Sequence, residues 1–166
     1  MSATRSYNVL FISTEGSARS LIAETILNKE GAGRFIAYSA GQTPDPEAHP
    51  YAIDLLEHMR YETSDLAPLS VKQLQEKQLP EIDFIFTLSD HAQDSVQPDL
   101  GLNTMTAHWS ITNPKKVPGN EAERRLAFAD TFKQLYNRIG VFINLPITTL
   151  DKLSLQTKLD EIDKQQ

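Results

Sequence analysis

The stretch Ser13-Thr14-Glu15-Gly16-Ser17-Ala18-Arg19-Ser20 concentrates hydroxyls, a glycine and an arginine within a few residues. Hydroxyls and backbone N–H groups donate to oxyanions, and a guanidinium adds a planar fork of donors suited to phosphate-like geometry. The stretch follows the apolar run Tyr7–Ile12 and precedes a helical pattern. It therefore joins a strand to a helix N-terminus, where unpaired N–H groups and the helix dipole favour negative charge. Gly16 permits the tight turn that such a cradle needs. The chemistry these residues suit is the holding of an oxyanion over Ser13–Arg19. The same composition also suits an ordinary polar strand-to-helix turn with Ser17 as N-cap. Neither G-x-x-x-x-G-K-[ST] nor G-x-G-x-x-G occurs, so this is not a nucleotide loop. A flavodoxin-like loop holding a flavin phosphate matches the hydroxyl pattern only in part, and no cofactor is expected.

The elements that must position the loop alternate along the chain. Tyr7–Ile12 reads as a buried strand, a short apolar run ended by polar residues. Residues 17–30 read as a helix, with Leu21, Ile22, Thr25 and Ile26 on one face. Residues 34–40 form a second strand, closed by Gly41. His49-Pro50 opens a helix to about Met59, because proline suits the first helical position. Ala52, Ile53, Leu55, Leu56 and Met59 make its apolar face. Residues 61–81 are more polar, with at most a short helix near 70–77. Strands are expected at 83–88 and 104–109. Two helices follow: 121–143, with Leu126, Ala129, Phe132, Leu135, Ile139 and Phe142 at helical spacing, and 149–163, with Leu150, Leu153 and Ile162 apolar. This alternation implies one α/β domain over residues 1–166, with a parallel sheet covered on both faces and ligands outside the carboxyl ends of its strands.

Composition narrows the function. The chain has 166 residues, 40% hydrophobic and 23% charged, which suits a globular fold and not a disordered one. A net charge of −6 argues against broad nucleic-acid binding, which rests on phosphate neutralisation. No apolar run approaches the roughly 20 residues of a membrane span, and MSATRSYNVLF shows no signal-peptide core, so a cytoplasmic protein without a membrane partner is expected. The cysteine count is zero. That excludes disulfides, Cys-ligated metals and every thiol mechanism for this chain.

VLFISTEGSARSLIAE resembles the signature of the low-molecular-weight protein tyrosine phosphatases and of the thioredoxin-coupled arsenate reductases that share their fold, where the loop is Cys-x5-Arg, written C-T-G-N-S-A-R-S in the reductase branch. The likeness runs nearly end to end, through AYSAGQTPDPEAHPYAIDLLEHMRYETSDL, DFIFTLSDHAQDSVQPDLG, MTAHWSITNP and EAERRLAFADTFKQLYNRI. The AHW stretch and the terminal helices are more similar to the reductase branch. The resemblance implies a three-layer sandwich around a four-stranded parallel sheet with flavodoxin-like topology. It also implies a loop cysteine acting as nucleophile, N–H groups and an arginine holding the oxyanion, an aspartate of a D-P pair acting as acid, and, in reductases, two further redox cysteines. Arg19 matches the family arginine, and Ser17 the loop serine that supports the thiolate.

The departures fall on the chemistry. Ser13 stands at the nucleophile position, and an unassisted serine hydroxyl is almost wholly un-ionised at neutral pH. Asn113, before Pro114, stands at the acid position, and an amide donates no proton as a general acid. Ser89 and Gln97 stand at the redox-cysteine positions. Glu15 and Gly16 replace the loop glycine and asparagine. A Glu15 carboxylate about 5 Å from a bound anion, at an effective dielectric near 20, costs roughly 3 kcal/mol per unit of charge; the expectation is that Glu15 points to solvent. A laboratory Cys→Ser exchange at Ser13 does not account for Glu15, Gly16, Asn113 and Gln97 together, so a naturally degenerate, catalytically silent homologue is expected, with an oxyanion-binding loop and a binding or regulatory role toward an unknown protein partner. The alternatives are a weak phosphatase or arsenate-processing enzyme, in which Ser13 is a slow phosphoryl acceptor or His91 or a nearby carboxylate assists water, and a Cys-to-Ser variant of an active arsenate reductase or tyrosine phosphatase. His49, His58, His91 and His108 show no metal-ligand spacing, so no metal is expected. Lys115 and Lys116 read as a solvated loop, Trp109 as packing over the Asn113 loop, and Tyr51, Tyr61 and Tyr136 as half-buried packing residues.

Overall fold

The computed structural model describes residues 6–89 and 104–163. Its strands are β1 (Tyr7–Ser13), β2 (Phe35–Gly41), β3 (Phe84–Thr87) and β4 (Met105–His108). They pair in parallel in the order β2-β1-β3-β4, with Ile12 beside both Ala40 and Thr87. β1 is central, and Val9–Ser13 are buried throughout, which is why it reads as an unbroken apolar run and not as an alternation.

The helices are α1 (Arg19–Glu30), α2 (Pro50–His58), α3 (Val71–Gln75), α4 (Glu121–Ile143) and α5 (Lys152–Ile162), with one 3-10 turn at Pro114–Lys116. Val9 and Phe11 project to the larger core, shared with Ile22 and Ile26 of α1, Phe128 and Phe142 of α4 and Leu159 of α5. Leu10 and Ile12 project to the other face, where Leu74 of α3 meets Ile82 and Ile85. The sheet is thus covered on both faces, as the alternation requires. An aromatic stack fills the larger core. Phe86 lies 4.1 Å from Trp109, 5.6 Å from Phe11 and 5.1 Å from Phe142, centre to centre. Trp109 is fully buried in this stack, so its role is packing within the core itself.

Several expected faces are rotated. Leu126 is 60% exposed and Leu153 is 78% exposed, and Met59 and Tyr136 are exposed as well. The buried stripe of α4 begins at Phe128 and runs through Phe132, Leu135, Ile139 and Phe142; that of α5 is Leu155, Leu159 and Ile162. In each case the i, i+4, i+7 spacing selects the stripe, and Leu126 and Leu153 fall off it. Tyr61 is buried, and Tyr51 half-buried.

Strand order sets the site. The chain leaves β1 toward β2 on one side and returns to β3 on the other, which opens a crevice at the carboxyl ends of β1 and β3. The Thr14 hydroxyl spans that crevice, donating to Ser89 Oγ at 3.0 Å.

Candidate functional site

The loop after β1 is shaped by backbone. The carbonyls of Ser13, Thr14, Glu15 and Ser17 accept hydrogen bonds from the N–H groups of Gln42, Thr43, Asp45 and His49, at 2.9–3.0 Å. In a planar trans peptide the N–H points opposite to the carbonyl. With these carbonyls turned to the 42–49 segment, the N–H groups of Thr14, Glu15, Gly16 and Ala18 turn to the loop's inner side. The Gly16 N–H donates to Ser13 Oγ there, at 3.2 Å. Gly16 has φ +67° and backs onto Gly41. A Cβ on Gly41 would lie 2.6 Å from the Glu15 carbonyl carbon and 2.7 Å from Gly16 N, so glycine at 41 is a steric requirement.

Ser13 lies at the floor of this cradle, 1% exposed. Its Oγ is 2.8 Å from Ser20 Oγ. The hydroxyl that reaches Ser13 is therefore that of Ser20; Ser17, expected to support the nucleophile position, donates instead to Asp45 Oδ2 at 2.7 Å. Nor is Ser17 an N-cap. α1 begins at Arg19, and its N-cap is Ala18, which supplies no side-chain cap. Arg19 is buried and donates from Nη1 to the Ile111 carbonyl at 2.9 Å, which anchors the guanidinium beside the loop.

The mouth of the loop carries a cluster the sequence did not announce. Glu15 does not point to solvent. Its Oε1 accepts from Asn113 Nδ2 at 3.1 Å and lies 3.5 Å from Lys115 Nζ. Lys115 also donates to Asp45 Oδ2 and sits 3.5 Å from Ser17 Oγ. The cause is the turn at Pro114. Asn113 Oδ1 caps it by accepting from Lys115 N at 3.0 Å, which sets Lys115 over the loop and not out in solvent. Burial alone would raise the Asp45 carboxyl. Hydrogen bonds from Lys115 and Ser17 and the charges of Lys115 and His49 outweigh it and hold Asp45 below the usual carboxylate range. His49 caps α2, its Nδ1 accepting from Tyr51 N at 3.1 Å. Burial, then Lys115 and Arg124, lower its pKa against the pull of Asp45.

The structure thus gathers Ser13, Thr14, Glu15, Gly16, Ser17, Ala18, Arg19, Asn113 and Ser89 around one crevice. His91 and Gln97 lie outside the described residues. His108 is turned to Thr87, its Nδ1 2.8 Å from Thr87 Oγ1. Sequence reasoning missed Asp45 and the placement of Lys115. Asp45 had one signal, its place in the proline-flanked DP pair of Pro44-Asp45-Pro46, which forces an extended segment. Among the described residues no group of His, Asp and Glu is placed to hold a metal, and no helix is long and apolar enough to cross a membrane.

Comparison with known proteins agrees with this geometry. The sequence profile of the low molecular weight phosphotyrosine protein phosphatases matches residues 8–152. The chain belongs to that family. Within it, the chain is 29% identical over 134 residues to an arsenate reductase of Oceanobacillus iheyensis, covering 81% of this chain and 93% of that one. It is 28% identical, with the same coverage, to an arsenate reductase of Halalkalibacterium halodurans. Among solved structures, an arsenate reductase in the phosphate binding state superposes with a TM-score of 0.63 at 19% identity, covering 82% of this chain and 96% of that one. A low molecular weight protein tyrosine phosphatase from T. tengcongensis superposes at 0.64 and 21%, covering 81% and 96%. These likenesses establish the family fold. Ser13 and Asn113, expected at the family's nucleophile and acid positions, are here a buried hydroxyl and a carboxamide bonded to Glu15.

Proposed function

We propose that this member of the family binds a phosphate-like oxyanion in the Ser13–Arg19 loop without turning it over, and acts as a binding or regulatory protein. The observation that carries this reading is the state of Ser13. The chain holds no cysteine, and the serine at the nucleophile position spends its hydroxyl on Ser20 Oγ and the Gly16 N–H. None of these partners is a base that could take its proton. The carboxamide of Asn113 cannot protonate a leaving group. What persists is the cradle: inward N–H groups, an uncapped helix start and a buried arginine, all of which favour an anion. Thiol-based arsenate reduction is chemically excluded for a chain without thiols.

The test is an amide-resolved NMR titration with phosphate, arsenate and sulfate. Saturable shifts confined to residues 14–19 are expected, together with background rates of aryl phosphate hydrolysis. Hydrolysis that disappears on Ser13→Ala would overturn the non-catalytic reading, and absence of any shift at millimolar anion would overturn the anion-binding one.

A further inference from the structure

An anion that enters the loop meets two carboxylates at its mouth, Glu15 and Asp45. Alone they would repel it. Between them stands one ammonium. Lys115 Nζ contacts Asp45 Oδ2 and lies 3.5 Å from both Glu15 Oε1 and Ser17 Oγ. Its backbone is fixed by the Asn113 cap, and the other end of the same carboxamide donates to Glu15. One residue therefore aims the cation and restrains one of the carboxylates. An amide does both without depending on a titrating proton. A carboxylate at position 113 would place two acidic oxygens near 3.1 Å apart, where one of them must stay protonated.

We propose that Lys115 is the loop's tethered counter-cation: it offsets one of the two negative charges of the Glu15–Asp45 mouth and thereby admits an oxyanion to the cradle, with Asn113 as its positioning residue. This rests on the oxyanion reading above and assigns to Lys115 the charge balance on which that reading depends. The substitutions at 15 and 113, separate in sequence, become parts of one device. Glu15 brings a charge into the loop, Asn113 spaces it, and Lys115 cancels it.

The experiment is the phosphate titration of the loop amides, repeated on Lys115→Ala, Lys115→Arg and the double variant Glu15→Gln/Lys115→Ala. Loss of a unit charge a few ångströms from the anion, with screening, is expected to weaken phosphate about tenfold or more in Lys115→Ala. Lys115→Arg keeps the cation and is expected to bind within about threefold of the natural protein. The double variant removes the carboxylate that the lysine balanced, and is expected to recover most of the loss. That recovery separates charge from packing, because a merely structural lysine would not be rescued by a change at Glu15. Unchanged affinity in Lys115→Ala, or loss without recovery in the double variant, overturns the proposal while the oxyanion reading stands. Absence of phosphate shifts in the natural protein overturns both.

Discussion

Two carboxylates in this protein accept a serine hydroxyl at the same distance and titrate in opposite directions. Ser17 donates to Asp45 at 2.7 Å, and Ser39 donates to Glu24 at 2.7 Å. Asp45 is held below its ordinary pKa, against a burial effect that would raise it, by the bonds from Lys115 and Ser17. Glu24 is raised. Burial dominates there, and the Ser39 bond and the charge of Lys77 do not offset it. The hydroxyl is common to both sites, so it does not decide the outcome. Depth of burial and an ammonium in direct contact do. The loop mouth favours the ionised form of its carboxylate, and burial in the α1–β2 crevice disfavours the ionised form of Glu24.

The strongest way to break this contrast is to disturb the scaffold beneath one side of it. Gly41→Ala forces a methyl against the Glu15–Gly16 peptide and is expected to cost about 1–3 kcal/mol in urea unfolding, as overpacking does. Carbon-detected titration of the side-chain carboxyls should show Asp45 returning toward its ordinary range as the mouth shifts, with Glu24 still raised. An unchanged Asp45 would mean that the glycine contact does not hold the mouth in place.

A smaller effect is expected at His49, which shares the field of Lys115 and Asp45. Its folded pKa lies below 6.5, so between the two values the unfolded chain binds more protons. Stability is then full above about 6.5 and falls as the pH drops toward the folded pKa. His49→Asn retains an N-cap and should flatten the stability profile between pH 7.5 and 5. A profile as steep as that of the natural protein would place the titrating group elsewhere. The smallest effect sharpens the other side of the contrast. Glu24 has a raised folded pKa, so the folded state binds more protons, and stability declines as the pH rises from the ordinary glutamate value through the folded one. Glu24→Gln keeps an acceptor for Ser39 and should leave the protein slightly more stable at pH 7, by less than about 1 kcal/mol. A loss of stability would show that ionised Glu24 is supported by more than Ser39.

The fold was legible because its signals are local. The apolar run Tyr7–Ile12 and the Pro50 helix start each act over a few residues, and each lies where the physics of strands and helix ends puts it. Face assignment was less secure at Leu126 and Leu153, since a leucine one position off the stripe has the same period as its neighbours. At the site, the loop Ser13–Arg19 and Asn113 were readable from residue type and order. The mouth was not. Glu15 and Lys115 are 100 residues apart, and Asp45 meets them only through the 42–49 segment laid along the loop. A charge that finds its partner through tertiary structure leaves no periodicity in the chain, so Glu15 read as solvated when it is in fact bound.

The backbone ladder between the loop and residues 42–49 has a further consequence, in time and not in space. An amide exchanges its proton with solvent only when its hydrogen bond opens. The amides of Gln42, Thr43, Asp45 and His49 are all committed to loop carbonyls, so they should exchange late and together, as one cooperative patch. On the other side of the same peptides the Gly16 amide is held by Ser13 Oγ, whereas those of Thr14, Glu15 and Ala18 face the crevice and should exchange early. A bound anion would silence that second set without touching the first, so slow and fast protons only a peptide apart would report separately on the rigidity of the frame and on its occupancy.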